Sequence, residues 1–396
     1  MTKKILSVTA IDGDVEVLWI PMQMNGKSPL ALYIHIPFCS KKCHYCSFYT
    51  IPHKPETVAL YCNAIIREGK KKLASIRDHY YVNTLFFGGG TPSLVPPSKL
   101  EEIISTLAPQ AKEITLEANP ENLSEIFLHS LRQTQINRIS LGVQTFDDPL
   151  LRLLGRTHTS SHAIKALQCC KAFDFINLSI DLIYGLPTQT LESFLCDLQQ
   201  ALKLPLTHIS LYNLTIDPHT SFYKHRKVLA STFASDEILA TMSSLAEELL
   251  TSHGFARYEL GSYAKPGYES KHNLCYWTDR PFLGLGVSAS QYLQGERSKN
   301  VSRISSYLRS IYRNLPIQEF SETLSEKEKI KEALSLRLRL IEGAQKKDFP
   351  KELWEALEKC SSLKQLFEYK DHSLALNKRG RLFHDTVAEE IMGISF

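Results

Sequence analysis

No apolar run in this chain of 396 residues approaches the ~20 residues that a membrane-spanning helix requires. No strong charge of one sign is present either: 46 Lys and Arg stand against 42 Asp and Glu, a formal net charge of +4. That balance is too mild and too evenly spread for a nucleic-acid binder. No repeat or low-complexity tract stands out. The nine cysteines are odd in number and unevenly placed, which speaks against a disulfide scaffold and for a reducing, cytoplasmic setting. A secretory pattern is missing as well, because Asp12, Asp14 and Glu16 interrupt any apolar segment after Lys3 and Lys4. What is plentiful is core-forming material: 43% hydrophobic against 22% charged residues excludes wholesale disorder. The length suits two to three domains.

Residues 15–21 read as one short strand, and Met22 and Met24 precede Gly26 and Pro29 in a turn. Two readings of the start stand. Either 1–21 is an extension outside the fold, with the true start at one of these methionines, or it adds an edge strand.

From Leu30 onward, short apolar runs alternate with longer amphipathic stretches. The runs at 31–36, 84–87, 114–117, 138–143, 178–183 and 208–214 are β-branched or aromatic, and most end at Gly, Pro or Asn. Between them, Val58, Tyr61, Cys62, Ile65 and Ile66 form one apolar helix face, as do Ile238, Met242, Leu245 and Leu249. Six β–α units in succession predict a parallel sheet covered by helices: an α/β fold built as a partial (β/α)6 barrel. After about residue 255 the pattern changes. One strand is expected at 258–263, then loop through Pro281. A capping-box helix opens at Ser325 and Glu328 and stops near Gly343. A helix at 350–359, a hairpin at 367–376 around Asp371 and a last helix at 378–392 suggest a small winged-helix-like α+β module. The expected division is an extension at 1–29, the barrel at 30–255, a linker region at 256–320 and the accessory domain at 321–396.

Cys39, Cys43 and Cys46 form C-x3-C-x2-C in the loop after the first strand. Three thiolates on a short loop can hold three irons of a 4Fe–4S cube, leaving the fourth iron for a chelating small molecule. Thiolates also suit zinc, but a structural zinc site needs four ligands, and no second C-x2-C pair exists; His44 would have to serve. The bland alternative is chance spacing. Cys62, Cys196 and Cys360 sit in helical patterns and read as small core residues. Cys169 and Cys170 are adjacent, where a mutual disulfide would be strained.

The run Gly88-Gly89-Gly90-Thr91 follows the second strand. Its glycines let backbone approach a ligand and permit positive φ. All parallel strands end on one edge, so this run shares an edge with the cysteine loop, and such an edge carries barrel active sites. Polar groups recur there: Glu117 ends the third strand, Gln144 the fourth, Arg156 follows, and Asp181 lies in the fifth. Each alone is ordinarily a surface pair or a cap. Together, a carboxylate, an amide and a guanidinium can receive the ammonium, ribose and carboxylate of an amino-acid nucleoside, each charge-assisted bond contributing roughly 1.5–3 kcal/mol.

These residues resemble the radical S-adenosylmethionine (SAM) proteins, and more closely the oxygen-independent coproporphyrinogen III oxidases and the HemW-type heme chaperones. The likeness covers about residues 30–392. It is carried by Tyr33-Ile34-His35-Ile36-Pro37-Phe38-Cys39, the run from Gly88 to Ser93, that from Gly142 to Phe146, that from Asp181 to Pro187, and His272-Asn273-Leu274-Cys275-Tyr276-Trp277. The resemblance implies a 4Fe–4S cluster on Cys39, Cys43 and Cys46 with SAM on the unique iron. It places Tyr33, Tyr45, Gly88, Gly89, Gly90, Thr91, Glu117, Gln144, Arg156 and Asp181 around the cofactors. Two features separate the branches. The oxidase pattern has a further cysteine two positions after the third, where this chain has Phe48. The chaperone branch carries H-N-x-x-Y-W, matched by His272, Asn273, Tyr276 and Trp277. His272 is the expected heme contact, since His ligates heme iron and aromatic faces suit a porphyrin. The chain departs from the family pattern at Ser290, where His is usual, and at His219, where Gly is common.

The expected function is therefore a heme chaperone that passes heme to a hemoprotein. The rival is the oxidase itself, an enzyme that decarboxylates coproporphyrinogen III to protoporphyrinogen IX. A third reading is a zinc-stapled structural protein. No membrane anchor and no nucleic-acid partner are expected, and oligomeric state is not legible.

Overall fold

The computed structural model describes residue 24 and residues 26–396. The strand expected at 15–21 and the choice of starting methionine lie outside these residues. Six parallel strands form the centre of the sheet, adjacent in chain order: β1 Ser28–Ile36, β2 Tyr80–Gly89, β3 Glu113–Ala118, β4 Arg138–Gln144, β5 Asn177–Tyr184 and β6 His208–Asn213. All six expected strands are present. Helices follow each of them, among them Pro55–Ile76, Pro97–Leu107, Ser160–Ala172, Leu191–Leu202 and Asp236–Ser252.

The two-residue period of a strand sorts the side chains. Leu30, Leu32, Ile34 and Ile36 of β1 and Leu85 and Phe87 of β2 join the main hydrophobic core with Tyr61 and Ile65 of the first helix. The alternate residues are largely polar and fill the inside of the sheet: Thr84, Thr115, Arg138, Ser140, Ser179, His208 and Ser210 are all buried. They bond to one another, as in Ser179 Oγ to His208 Nδ1 at 2.8 Å and His208 Nε2 to Tyr258 Oη at 2.8 Å. Most of this buried polar lumen is satisfied in that way, whereas Thr115 Oγ1 and Arg138 Nε have no hydrogen-bond partner among the described residues.

Beyond β6, residues 256–264 form a hairpin, β7 Ala256–Glu259 and β8 Ser262–Ala264, rather than one strand; Leu260 and Gly261 make the turn. At the other edge, β9 Phe282–Leu285 pairs parallel with β1 and leads into three antiparallel strands, β10 Ser290–Leu293, β11 Glu296–Asn300 and β12 Gln318–Thr323. The sheet thus has twelve strands. The stretch expected as loop through Pro281 contains the helix Lys271–Trp277, with Ser270 as its N-cap. Seven residues are too few for a helical period to show in sequence.

The C-terminal residues pack a second core of Leu334, Leu338, Leu353, Leu357, Leu374 and Val387. The helix Glu326–Arg337 begins with the expected capping box of Ser325 and Glu328 and ends at Arg337, several residues before Gly343. Strands β13 Ala344–Gln345, β14 Phe367–Tyr369 and β15 Ser373–Leu376 form a small sheet, and the last helical stretch breaks at Phe383 into Lys378–Leu382 and His384–Gly393. All nine cysteines are free. Cys62 is buried as expected, whereas Cys196 is exposed and Cys360 half-buried. Cys196 lies on the solvent side of its helix, and Cys360 stands at a helix end and packs against the C-terminal core.

Candidate functional site

The loop carrying Cys39, Cys43 and Cys46 leaves β1 and is fixed by backbone bonds to its neighbours. Ile51 donates to Pro37 O at 2.7 Å, His53 to Cys39 O at 3.1 Å and Thr91 to Phe38 O at 2.8 Å. His44 anchors the middle: its amide donates to Leu154 O at 2.9 Å and its Nδ1 bonds Leu153 O at 2.8 Å. Its Nε2 lies against Gly155, where a Cβ would fall 3.0 Å away.

The three half-buried thiols line a cavity of about 450 Å³ at the carboxyl edge of the strands. The same cavity is lined by Tyr45, Gly89, Gly90, Thr91, Glu117, Gln144, Arg156 and Asp181. Eleven of the fourteen residues expected at the site thus meet in one place. Gly88 and Tyr33 lie just beside it. A Cβ on Gly88 would come 2.9 Å from the Tyr33 ring, so this glycine makes room for the stacked pair Tyr33 and Phe86. Gly89 takes φ +111 and sits against His35, where a Cβ would fall 2.5 Å from the imidazole.

Two donors address the sulfurs: Thr91 Oγ1 lies 3.5 Å from Cys39 Sγ, and Arg156 Nη1 lies 3.5 Å from Cys43 Sγ. Burial pushes the thiols of Cys39 and Cys46 up; the Thr91 hydroxyl counters this at Cys39 and the Phe48 amide at Cys46. Arg156 Nη2 also donates to Asn119 Oδ1 and to Gly142 O, both at 2.7 Å, while its buried Nε has no hydrogen-bond partner among the described residues. Glu117 accepts from Gly89 N at 3.1 Å, and burial, then Asp181, holds its carboxyl up at about 8. Burial raises Asp181 also, against the hydroxyls of Ser210 and Ser140.

Gln144 has φ +72, a conformation uncommon for a side-chain-bearing residue. The turn after it is held by the buried Asp197, which accepts from Thr145 Oγ1 at 2.7 Å and Phe146 N at 2.6 Å. Sequence reasoning missed Asp197, and also Ser140, Tyr212 and Asn213 on the cavity wall. Tyr212 and Asn213 end β6 on the same edge, a signal that strand-end counting can find.

The donor set suits a cluster: three thiols on one loop, donors directed at two of them, an orphaned guanidinium nitrogen on the wall, and room beside them. Among the described residues no group of three His, Cys, Asp or Glu converges on one point as a single metal ion needs. The thiols instead line a space.

His272 lies elsewhere. It is 1% exposed, inside the sheet. Its Nδ1 bonds Thr84 Oγ1 at 2.9 Å, its Nε2 bonds Tyr276 Oη at 2.8 Å, and its amide donates to Glu113 Oε1 at 2.9 Å. Burial, then Arg138, lowers its imidazole to about 3. With both ring nitrogens engaged, His272 presents no lone pair to iron here; of the motif's residues, Tyr276 lines a cavity together with Tyr33 and Phe282. At the two departures from the family pattern, His219 adopts φ +71, the region that favours glycine, and Ser290 sits in β10.

The sheet, the cysteine loop and the strand-end residues define a class, and residues 33–200 match the family model described as the Radical SAM superfamily. The fold is similar to that of coproporphyrinogen III oxidase (HemN) from Escherichia coli, with a TM-score of 0.80 at 23% identity over 92% of this chain and 90% of that one. Within the class, the chain is 35% identical to heme chaperone HemW of Lactococcus lactis over 90% of its length and 93% of the relative's. It is 33% identical to heme chaperone HemW of Bacillus subtilis, over 91% of this chain and 98% of that one. The chain belongs to the HemW family of radical SAM proteins.

Proposed function

We propose that this protein is a cytoplasmic heme chaperone that holds a 4Fe–4S cluster on Cys39, Cys43 and Cys46, binds SAM beside it and passes heme to a hemoprotein. The observation that carries the reading is near-full-length similarity to proteins named heme chaperone HemW, at 33–35% identity. A bound cluster would supply an open iron for the amino and carboxylate groups of SAM. The residues of the chain would do the rest. Arg156 would face the SAM carboxylate, while Glu117, Gln144 and Asp181, which line the same cavity, would receive the ammonium and ribose. Thr91 and Arg156 stabilise charge on the sulfurs through hydrogen bonds to Sγ. No helix among the described residues is long and apolar enough to cross a membrane. We read 30–255 as the barrel unit, 256–320 as the connecting region and 321–396 as the accessory domain, a division supported by the separate second core.

The oxidase reading rests on likeness of fold, and Phe48 occupies the position of the oxidase's extra cysteine. One experiment separates the two. Anaerobically reconstituted protein is given coproporphyrinogen III, SAM and a reductant, and products are followed by mass spectrometry. The chaperone reading expects no protoporphyrinogen and stoichiometric heme binding by the same preparation. Protoporphyrinogen formation would overturn it.

A further inference from the structure

A second cavity of about 630 Å³ abuts the first across the tail of the cysteine loop, since Lys42, Ser47, Phe48 and Thr50 line both. Its floor comes from the strands added beside β1. Strand register sets Phe282, Tyr292 and Arg297 in one row, and Lys299 stands between Ser290 and Phe320 in the next. With side chains alternating across the pleat, both rows share one face, which continues the inner face of the barrel from Tyr33. Three strand spacings of about 4.8 Å make this platform roughly 14 Å wide, enough for a flat macrocycle.

The lining is aromatic and basic. Tyr276 overhangs the platform and meets Phe282 edge to face at 4.8 Å. Phe48, 59% exposed, lines this cavity, and Phe320, 50% exposed, lines an adjoining one of about 430 Å³ that shares Tyr276, Phe282, Ser290 and Lys299 with it and extends the same concave surface. Large exposed aromatics bordering one concave surface mark a binding site rather than a random surface. Lys42 and Lys299 supply positive charge on opposite walls. Of the nearby acids, Glu319 is tied to Ser302 through the amide at 2.7 Å and the hydroxyl at 2.8 Å, Glu322 and Glu332 are paired with Arg297 at 3.3 and 3.0 Å, and Asp279 lies on the far side with Glu332.

We propose that this second cavity is the heme seat, with the macrocycle lying on the β9–β12 platform and its propionates paired with Lys299 and Lys42. The assignment rests on the heme-chaperone reading and deepens it. It moves the heme from His272, enclosed behind Tyr276, to a surface one loop away from the cysteines. The cavity's own histidine, His35, has Nδ1 bonded to Tyr33 Oη at 3.2 Å and Nε2 to Tyr49 O at 3.1 Å. Ring and propionate contacts therefore dominate over histidine ligation.

The test titrates full-length, cluster-reconstituted protein with ferric heme and, separately, with heme dimethyl ester, which lacks the propionate charges. Lys299→Glu and Phe320→Ser are compared with the parent and with Lys299→Arg, with the cluster's visible absorbance as the folding control. The expected result is heme binding weakened about tenfold or more by Lys299→Glu and by Phe320→Ser, and restored by Lys299→Arg. The dimethyl ester is expected to bind Lys299→Glu and the parent alike. Parent-like heme affinity in both variants overturns the cavity assignment and leaves the chaperone reading standing. Failure of the parent to bind heme at all overturns the chaperone reading, and this assignment with it.

Discussion

A carboxyl held up at about 8 in the middle of a parallel sheet is a cost to the ligand-free protein, and Glu117 bears it. A free glutamate titrates near 4.5, so between pH 4.5 and 8 folded Glu117 keeps a proton that the unfolded chain has lost. Stability therefore falls as pH rises through that window. Glu117→Gln removes this dependence and still accepts the Gly89 amide. The variant is expected to gain up to about 5 kcal/mol over the parent above pH 8, and little below pH 5, in urea unfolding of the ligand-free protein. It is also expected to bind SAM more weakly, which calorimetry of the reconstituted protein checks. A variant both less stable at pH 8 and unchanged toward SAM would contradict the role given to Glu117. At this scale the sequence was legible where chemistry and spacing coincide. Three cysteines within eight positions and polar residues at successive strand ends led to one cavity. His272 was not legible in the same way. Its motif named the residue type, but burial by Thr84, Tyr276 and Glu113 comes from partners 188, 4 and 159 positions distant. Asp197 escaped for the same reason, lying 52 positions from the Thr145 it holds.

Among the elements, the long first helix, Pro55–Ile76, does more than cover the sheet. Its buried Glu68 accepts from Gly286 N at 2.8 Å, Asn300 Nδ2 at 2.8 Å, Tyr307 Oη at 2.5 Å and Lys72 Nζ at 2.8 Å. One carboxylate thus ties β11, the turn after β9 and the helix Ile304–Tyr312 to the barrel. Glu68→Ala leaves these donors without their acceptor, and a loss of about 3–5 kcal/mol is expected in chemical denaturation. Hydrogen exchange is expected to rise first across 282–312. Uniform loosening of the whole chain would contradict the hub. The six core strands were legible because each is an apolar run of ordinary length closed by a turn residue. The strands from 282 to 323 were not, because they are short and polar on one face. Strand β12 is exposed throughout, so no burial pattern marks it.

At the scale of the whole molecule, a sheet that is parallel in the middle and antiparallel at both edges carries two neighbouring cavities, with a separate C-terminal core beside it. The fold matches that of an enzyme at 0.80 TM-score, while the Lactococcus lactis and Bacillus subtilis relatives at 35% and 33% identity are named as chaperones. Fold alone does not decide between them. Both rest on the cysteine loop holding a cluster with one iron left for SAM. Iron and labile-sulfide analysis of anaerobically reconstituted protein, with electron paramagnetic resonance of the reduced sample before and after SAM, measures this directly. The account predicts about four irons and four sulfides per chain, a cluster signal that SAM perturbs, and loss of both in Cys39→Ala, Cys43→Ala and Cys46→Ala. Protein without iron and sulfide, or a cluster that persists unchanged in those variants, would contradict it.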